Sequence, residues 1–502
     1  MFCNSLLLST MKKFFFLVMM VSEVAAQNRT NVWELSYTFG TAPKCELRYN
    51  GSSMDTNSVY RVMSFFDTNA SICDTNGNLL FYSNGITIGN RNYDTLQNAV
   101  DFNPGWATDF NDPQGMSTCQ GVLILPDPGN PDQYYIFHES GEEFIAYGDY
   151  QVQPLHLSYS VVNMNLDGGL GGIVDTLKNK YAIIDTLLWG GLTAVKHANG
   201  RDWWIIIHRF YNDKCYKLLL TPQGVEGPYE QTIGSYLGSY DAVVQATFSP
   251  DGSKYCISNN GGLFDYFDFD RCTGEFSNYK TGNDSAGFFG CSFSPNSRFL
   301  YMSSLVDLYQ YDTWDSNMIA DVVHIATWDS FYHYGNPIWF FMHQLAPDGR
   351  IYLSVFSGEQ YLNVINSPDS LGIDCNFTPH SFLLTHYGFS DNIPSFPNYD
   401  LGSLQGSPCD TLYNSTSNLK PQILNFSLSP NPSSTYINIV YSIEQNAELT
   451  FTDAYGRVVK QLTLYPYFKN RIIYTDGLSV GVYLVTMREG EKISSKKLII
   501  TR

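Results

Sequence analysis

Few side chains in this 502-residue sequence stand where they could do chemistry. His138 and Glu139 close the apolar run YYIF, and Glu142 and Glu143 follow just beyond. A histidine among carboxylates could serve a cleft as general acid and base; the plainer reading is a solvated loop. His197 and His208 bracket the run WWIII (203–207) and read as structural. Asn163, Asn165 and Asp167 alternate ahead of Gly168, as oxygen ligands do at the start of a calcium loop. The bidentate Glu that such a loop needs is replaced by Val174, so a glycine-rich turn fits better. GLSVG (477–481) has the form of a nucleophile elbow, but no His follows Ser479 and no helix begins there. Zinc spacings of the HExxH or CxxC kind are absent. No catalytic, cofactor-binding or metal-binding residue is therefore assigned, and calcium is the single cofactor that the spacing admits. What remains is aromatic. FNPGWATDF (102–110) and HYGNPIWFF (333–341) mix rings with amides and carboxylates. Such surfaces stack on sugar rings while their polar groups bond the hydroxyls.

Strands must position these residues, since helical periodicity is almost missing. CDTNGNLLFYSNG (73–85), KHANGRDWWIIIH (196–208), FSPDGSKYCISN (248–259), FSPNSRFLYMSS (293–304) and LAPDGRIYLS (345–354) share one grammar of turn, polar residue and apolar strand. LPDPGNPDQYYIFH (125–138) is a looser copy. The Asn-Gly and Asp-Gly pairs predict type I′ hairpin turns. Turns recur about every 54 residues, the spacing of one repeated supersecondary unit. Residues 27–410 have room for about seven such units. The run 203–207 is apolar at every position, as in a strand covered on both faces. The expected fold is all-β: a β-propeller of four-stranded blades, seven-bladed with six as the alternative, followed by a small Ig-like β-sandwich.

Residues 1–26 read as an N-terminal extension and signal peptide, with the start at Met1 or Met11, the apolar core FFFLVMMV, and small residues before Gln27. No other run is long and apolar enough to cross a membrane. Residues 411–425 read as a linker and 426–502 as a separate domain. Charged residues make up 15%, and the net charge of −19 excludes nucleic acid as a partner. Nine cysteines follow the leader; Cys256 with Cys272 and Cys375 with Cys409 are the expected pairs.

FSPDGSKYCIS, FSPNSRFLYMS, LAPDGRIYLS, DTNGNLLFYSNG and IPSFPNY (393–399) resemble the exported WD-repeat-like and YVTN-type β-propellers of Bacteroidetes. That resemblance implies a scaffold and no catalytic residues. Four Asp-Thr-Leu triplets, at 94–96, 175–177, 185–187 and 410–412, resemble O-glycosylation acceptors of exported proteins of that group. PNP (430–432), DAYGRVV, LSVGVYLV and KKLIITR, in that order, resemble the type A sorting domain of the type IX secretion system. This second resemblance implies an export address made of Pro430, Asn431, Pro432, Gly456, Gly481, Tyr483, Lys496 and Lys497. It also implies type IX machinery as a partner of residues 426–502, and a secreted or outer-membrane-surface location after leader removal. The expected function is a non-catalytic binding module for glycans or proteins. A propeller hydrolase or lyase acting on polysaccharide is the alternative, and a structural surface protein the second.

Overall fold

The computed structural model describes residues 28–37, 42–146, 149–238, 244–356, 358–384, 392–410, 426–443, 445–490 and 492–501. The leader, the linker 411–425 and the triplet residues Thr411 and Leu412 lie outside them. The chain divides into two compact units, one ending at Leu404 and the other beginning at Gln405.

The first unit is a propeller of seven sheets, each with three to five strands among the described residues. In chain order the blades begin with strands Val32–Leu35, Ala70–Cys73, Val122–Pro126, Thr193–Lys196, Val244–Phe248, Gly290–Phe293 and His343–Leu345. We number these blades 1 to 7. Each blade is an antiparallel meander, and blade 4 runs Thr193–Lys196, Trp203–His208, Asn212–Thr221, Gly224–Leu237. Trp203–His208 is buried at every residue, because a neighbouring blade covers each of its faces. Ring contacts join the blades. Phe81 meets Tyr134 between blades 2 and 3, His208 stacks on Tyr255 between 4 and 5, and Phe264 meets Tyr311 between 5 and 6. Trp33 meets Tyr352 edge-on at 5.9 Å, joining blade 1 to blade 7 and closing the circle.

Blade 1 is completed from the other end of the propeller chain. Residues 392–398 run along the axis with the innermost strands. The Ser395 N–H donates to the Asn69 carbonyl, Gln120 Nε2 donates to Ser395 Oγ, and Gln344 Oε1 accepts the Phe396 N–H. The Phe396 ring lies 6.2 Å from Trp33, and Tyr399 packs edge-on against Trp203.

The repeated turns are present with a different geometry from the one expected. Gly77, Gly200, Gly252, Ser297 and Gly349 have positive φ, whereas the Asn or Asp before each does not. A type I′ turn needs both. Each is instead a tight turn closed by a bond such as Gly252 N–H to Ser249 carbonyl at 2.8 Å, followed by one left-handed residue. In four of the five the Asn or Asp accepts the N–H two residues on, as Asp251 does from Ser253, and in the first Asp74 accepts the N–H groups of Asn76 and Asn78 instead.

The cysteine pairing also differs. Cys256 and Cys375 are not bonded, while Cys272 and Cys409 are the disulfide-bonded cysteines among the described residues. Cys256 stands opposite Tyr266, six residues short of Cys272, which is about 20 Å of strand. Its sulfur faces Met302 instead, inside the contact between blades 5 and 6.

The second unit is a sandwich. Phe426–Ser429, Tyr436–Tyr441 and Asn470–Tyr474 form one sheet; Val458–Leu464, Ala447–Thr452, Gly481–Glu489 and Lys492–Ile500 form the other. Alternate residues point inward, so Ile437, Ile439, Leu449, Phe451, Val485 and Met487 are fully buried between the sheets.

Candidate functional site

The innermost strands all begin at one end of the propeller axis, its upper mouth. The segments that lead into them bring Cys119, Phe289, Phe341 and Met342 together as an apolar floor, each at most 9% exposed. Cys119 bridges to Gly190, which places Trp189 beside this floor. From Phe341 a lane of rings runs outward. Phe356 is 5.1 Å away, Trp339 is 6.3 Å from Phe356, Trp328 is 6.2 Å from Trp339, and Tyr332 is 5.2 Å from Trp328. Phe356 next to the floor is 41% exposed and Tyr332 at the outer end 55%, with Trp339 and Trp328 half-buried between them and the neighbouring Tyr334 91% exposed. The short hairpin Tyr332–His333 and Asn336–Pro337 raises this end. Glu359 secures it, accepting from Asn336 Nδ2 at 2.6 Å and pairing with His333 Nδ1 at 2.7 Å.

Two further features mark the mouth. The indole Nε1–H groups of Trp189 and Trp339 are buried and have no hydrogen-bond partner. Buried donors without partners are uncommon in folded proteins. Asp67 stands three residues before the innermost strand of blade 2, as Cys119 does before that of blade 3, and burial pushes its carboxyl up to about 7. The axial cavity lined by Gln120, Gln245 and His343 is different, with a volume of about 240 Å³. Gln245 bonds the backbones of Cys291 and His343, and both ring nitrogens of His343 meet serine hydroxyls. Those groups serve blade-to-blade contact and are saturated.

The residues singled out in the sequence scatter. His138 and Glu139 are wholly buried and do not share a surface with exposed Glu143. Burial takes His138 down to about 3 and Glu139 well above the carboxylate range, with the Thr118 hydroxyl and the Gly190 N–H beside it. They are interior groups and do not face a cleft. His208 bonds the Tyr255 hydroxyl at 3.0 Å and His197 meets the Cys272 carbonyl at 3.1 Å. Asn163 Oδ1 accepts the Asn165 N–H, forming a turn, and no group of three or more His, Cys, Asp or Glu side chains among the described residues could hold a metal. Of the two aromatic stretches, 333–341 supplies the lane. Trp106 and Phe110 in 102–110 stack on one another at 4.8 Å, in a short helix Trp106–Asn111 beside blade 2. Trp328, Tyr332 and Phe356, which complete the lane, lie outside both stretches, Tyr332 by one residue, and the fold brings Trp328 and Phe356 in.

In the second unit Asn431 does the work of a strand partner. Its Nδ2 donates to the Lys497 carbonyl at 2.7 Å and its Oδ1 accepts the Ile499 N–H at 2.9 Å. Ser433 continues the pairing, giving its N–H to the Ile499 carbonyl and accepting from Thr501. Pro430 and Pro432 frame the turn, and the terminal strand is thereby fastened along its outer edge. Gly456 turns with φ 81° above an Asp453 carboxylate that takes the N–H groups of Tyr455 and Arg457. Gly481 opens the strand opposite Ile500, buried Tyr483 bonds the Ser479 carbonyl, and Lys496 and Lys497 are exposed. Residues 427–501 match the family described as the secretion system C-terminal sorting domain. The sorting domain assigns the chain to export by the type IX system, toward secretion or the cell surface. Among the described residues, no helix is long and apolar enough to cross a membrane.

No curated protein matches the chain. Among solved structures, a Bacteroides fragilis protein provisionally named a 6-phosphogluconolactonase is 12% identical, with 72% of this chain and 97% of that one covered and a TM-score of 0.41. A Lactobacillus plantarum protein is 11% identical over 89% and 99% of the two chains, TM-score 0.38. The β-propeller domain of Myceliophteria thermophila Cps50 (Swd1) is 9% identical over 76% and 97%, TM-score 0.30. Likeness this distant says nothing of activity.

Proposed function

We propose that this is a non-catalytic glycan-binding propeller, carried out of the cell by its sorting domain and working in the medium or on the outer-membrane surface. We assign residues 27–410 to the binding module and 426–502 to the sorting domain, with Pro430, Asn431, Pro432, Gly456, Gly481, Tyr483, Lys496 and Lys497 as the address. The aromatic lane at the upper mouth carries this reading. The rings meet mostly edge-on from an open rim to a closed floor, and exposed Phe356 and Tyr332 leave ring surface on which sugars can stack.

Thermal unfolding of the purified protein against a panel of polysaccharides tests the reading. A glycan at 100 times its Kd adds about 2.7 kcal/mol. The shift is expected with at least one glycan and is expected to vanish in Trp328→Ala and Phe356→Ala. A shift that survives both changes would move the site elsewhere, and a panel without any shift would favour a protein ligand or a structural role.

One observation favours the hydrolase or lyase reading. Asp67, in the segment that leads into the innermost strand of blade 2, has its carboxyl raised by burial to about 7, in the range of a general acid near neutrality. Product analysis with the bound glycan distinguishes the two readings, because turnover abolished by Asp67→Asn would make the protein an enzyme.

A further inference from the structure

We propose a second site, on the flank of blade 2, that binds a primary amine or guanidinium carried on an apolar stem. It does not depend on the glycan reading. The site is a cleft of about 620 Å³, within the roughly 300–1,000 Å³ of small-ligand sites. Val62, Met63, Ile86, Ile88, Val100 and Phe102 form its apolar wall. Val62 and Val100 are 67% and 71% exposed at its lip, well beyond what a satisfied surface needs.

The charged side chains that line this wall are of one sign, with the Lys178 ammonium just outside them on the Val100 carbonyl. Asp94, Asp101, Asp109 and Asp112 line the cleft, and no Lys or Arg does. All four are exposed, and none makes an ion pair among the described residues. Some carboxylates elsewhere in the propeller do have partners, as Asp185 has Arg209, Asp268 has Lys254 and Asp312 has Arg298. Four unmatched carboxylates around an apolar hollow set up a field that draws a cation and repels an anion.

A buried group also points into the hollow. Tyr82 is 1% exposed, lines the cleft, and has no hydrogen bond to its hydroxyl among the described residues. Its ring lies flat over Gly89, where a Cβ would stand 2.3 Å from Cζ and 2.5 Å from the hydroxyl oxygen. The glycine therefore keeps the phenol in the cleft wall, with its oxygen ready to accept an N–H. The floor is preformed as well. Asn98, Asp101 and Asn103 hold left-handed conformations. They are pinned by Asn98 Nδ2 to the Ile173 carbonyl, Asn179 Nδ2 to the Asp101 carbonyl and Asn103 Nδ2 to the Gly85 carbonyl. A hollow held open in this way has no side chain of its own to fill it.

Titration calorimetry of the purified full chain tests the site with four probes: acetyl-Leu-Lys-Leu-amide, its arginine and norleucine counterparts, and spermidine. The lysine or arginine peptide, or spermidine, is expected to bind at least tenfold more tightly than the norleucine peptide and to weaken at least tenfold from 50 to 500 mM salt. Asp101→Asn with Asp109→Asn should cost tenfold or more, and Tyr82→Phe severalfold, with thermal unfolding showing that each variant folds. Peptide over spermidine would assign a basic protein segment, and spermidine over peptide a free polyamine; either supports the site. Equal binding of charged and norleucine peptides, undiminished binding by the folded double variant, or no binding by any probe would overturn it.

Discussion

Residues 1–425 hold 42 Asp and Glu against 20 Lys and Arg, whereas residues 426–502 hold six against nine. Both units are antiparallel β, so fold class does not set this contrast. Their surfaces differ in the same sense. The propeller hides its inner-strand rings between blades, as Trp203 and Tyr352 show, because every blade has a neighbour on each face. A two-sheet sandwich buries one face per sheet, and here the other face is not polar. Tyr436 stands directly across from Tyr474, and both are exposed, as are Val440 and Ile472 beside them. An acidic unit with a sealed core suits life in solution, and a basic unit with open apolar sheets suits capture by another surface. Within the proposed function, the first is the cargo and the second the address.

The largest test of this contrast removes residues 392–404 and leaves the sorting domain whole. Blade 1 would lose the segment that carries Ser395, Phe396 and Tyr399, and the circle would open between blades 7 and 2. Cooperative unfolding of the propeller should disappear while that of the sorting domain persists, read by calorimetry and limited proteolysis. A propeller that still melts sharply would show that the segment decorates the ring without closing it.

That closure is also where the sequence was hardest to read. Five repeats were visible because each turn is followed at once by its apolar strand. The seventh turn, Pro397-Asn398-Tyr399-Asp400, keeps the local bond, with Asn398 Oδ1 accepting the Asp400 N–H. The strand that belongs after it is Val32–Leu35, at the other end of the chain, so no local pattern reveals the repeat. The turn type was misread for a similar reason, since Asp-Gly suits type I′ and a tight turn with one left-handed residue equally well until hydrogen bonds decide. Part of the upper mouth was legible in HYGNPIWFF. Phe356 and Trp328 stand in separate loops that only the meander order gathers, whereas the four aspartates of the blade 2 cleft share the one connection between Asn90 and Val122, whose path back over Val62 and Tyr82 no local pattern shows.

Acid should separate the two units next. His138, His208 and His343 are buried and neutral, lowered by burial from about 6.5 to about 3, 4 and 3. The unfolded chain takes up protons at these sites from about pH 6.5 downward, and the folded chain does so only near pH 3–4. Their stabilising contribution is complete above pH 6.5 and is lost as the pH falls through that window. At about 1.4 kcal/mol per pH unit for each histidine, these three withdraw several kcal/mol by about pH 4, while buried Glu34, Asp67 and Glu139, whose carboxyls burial raises, return much of it by taking up protons in the folded chain first. Residues 426–502 contain no histidine, so the sorting domain escapes this loss. Parallel melting of both units between pH 7 and 4 would break the distinction.

A core truncation in each unit comes after that. Trp203→Ala, at a fully buried ring, should cost the propeller about 3–5 kcal/mol, and Phe451→Ala should cost the sorting domain about the same. Each change should lower one transition and leave the other in place. A shift of both transitions by either change would mean that the units unfold together.

The smallest change tests how the address is built. Asn431 is exposed and fills no core, so Asn431→Ala removes only its two bonds to the terminal strand, about 1–2 kcal/mol of sorting-domain stability. The turn between Pro430 and Pro432 would remain, and so would Lys496 and Lys497 on the surface. If recognition reads a fastened terminal strand, export should fall far more than so small a loss of stability explains, while the Tm of the propeller stays unchanged. Asn431→Asp sharpens the point. A carboxylate still accepts the Ile499 N–H but cannot donate to the Lys497 carbonyl, so it should fall between Asn and Ala. Export that follows sorting-domain Tm alone across the three residues would reduce Asn431 to an ordinary stabilising contact and leave the exposed lysines to carry the recognition.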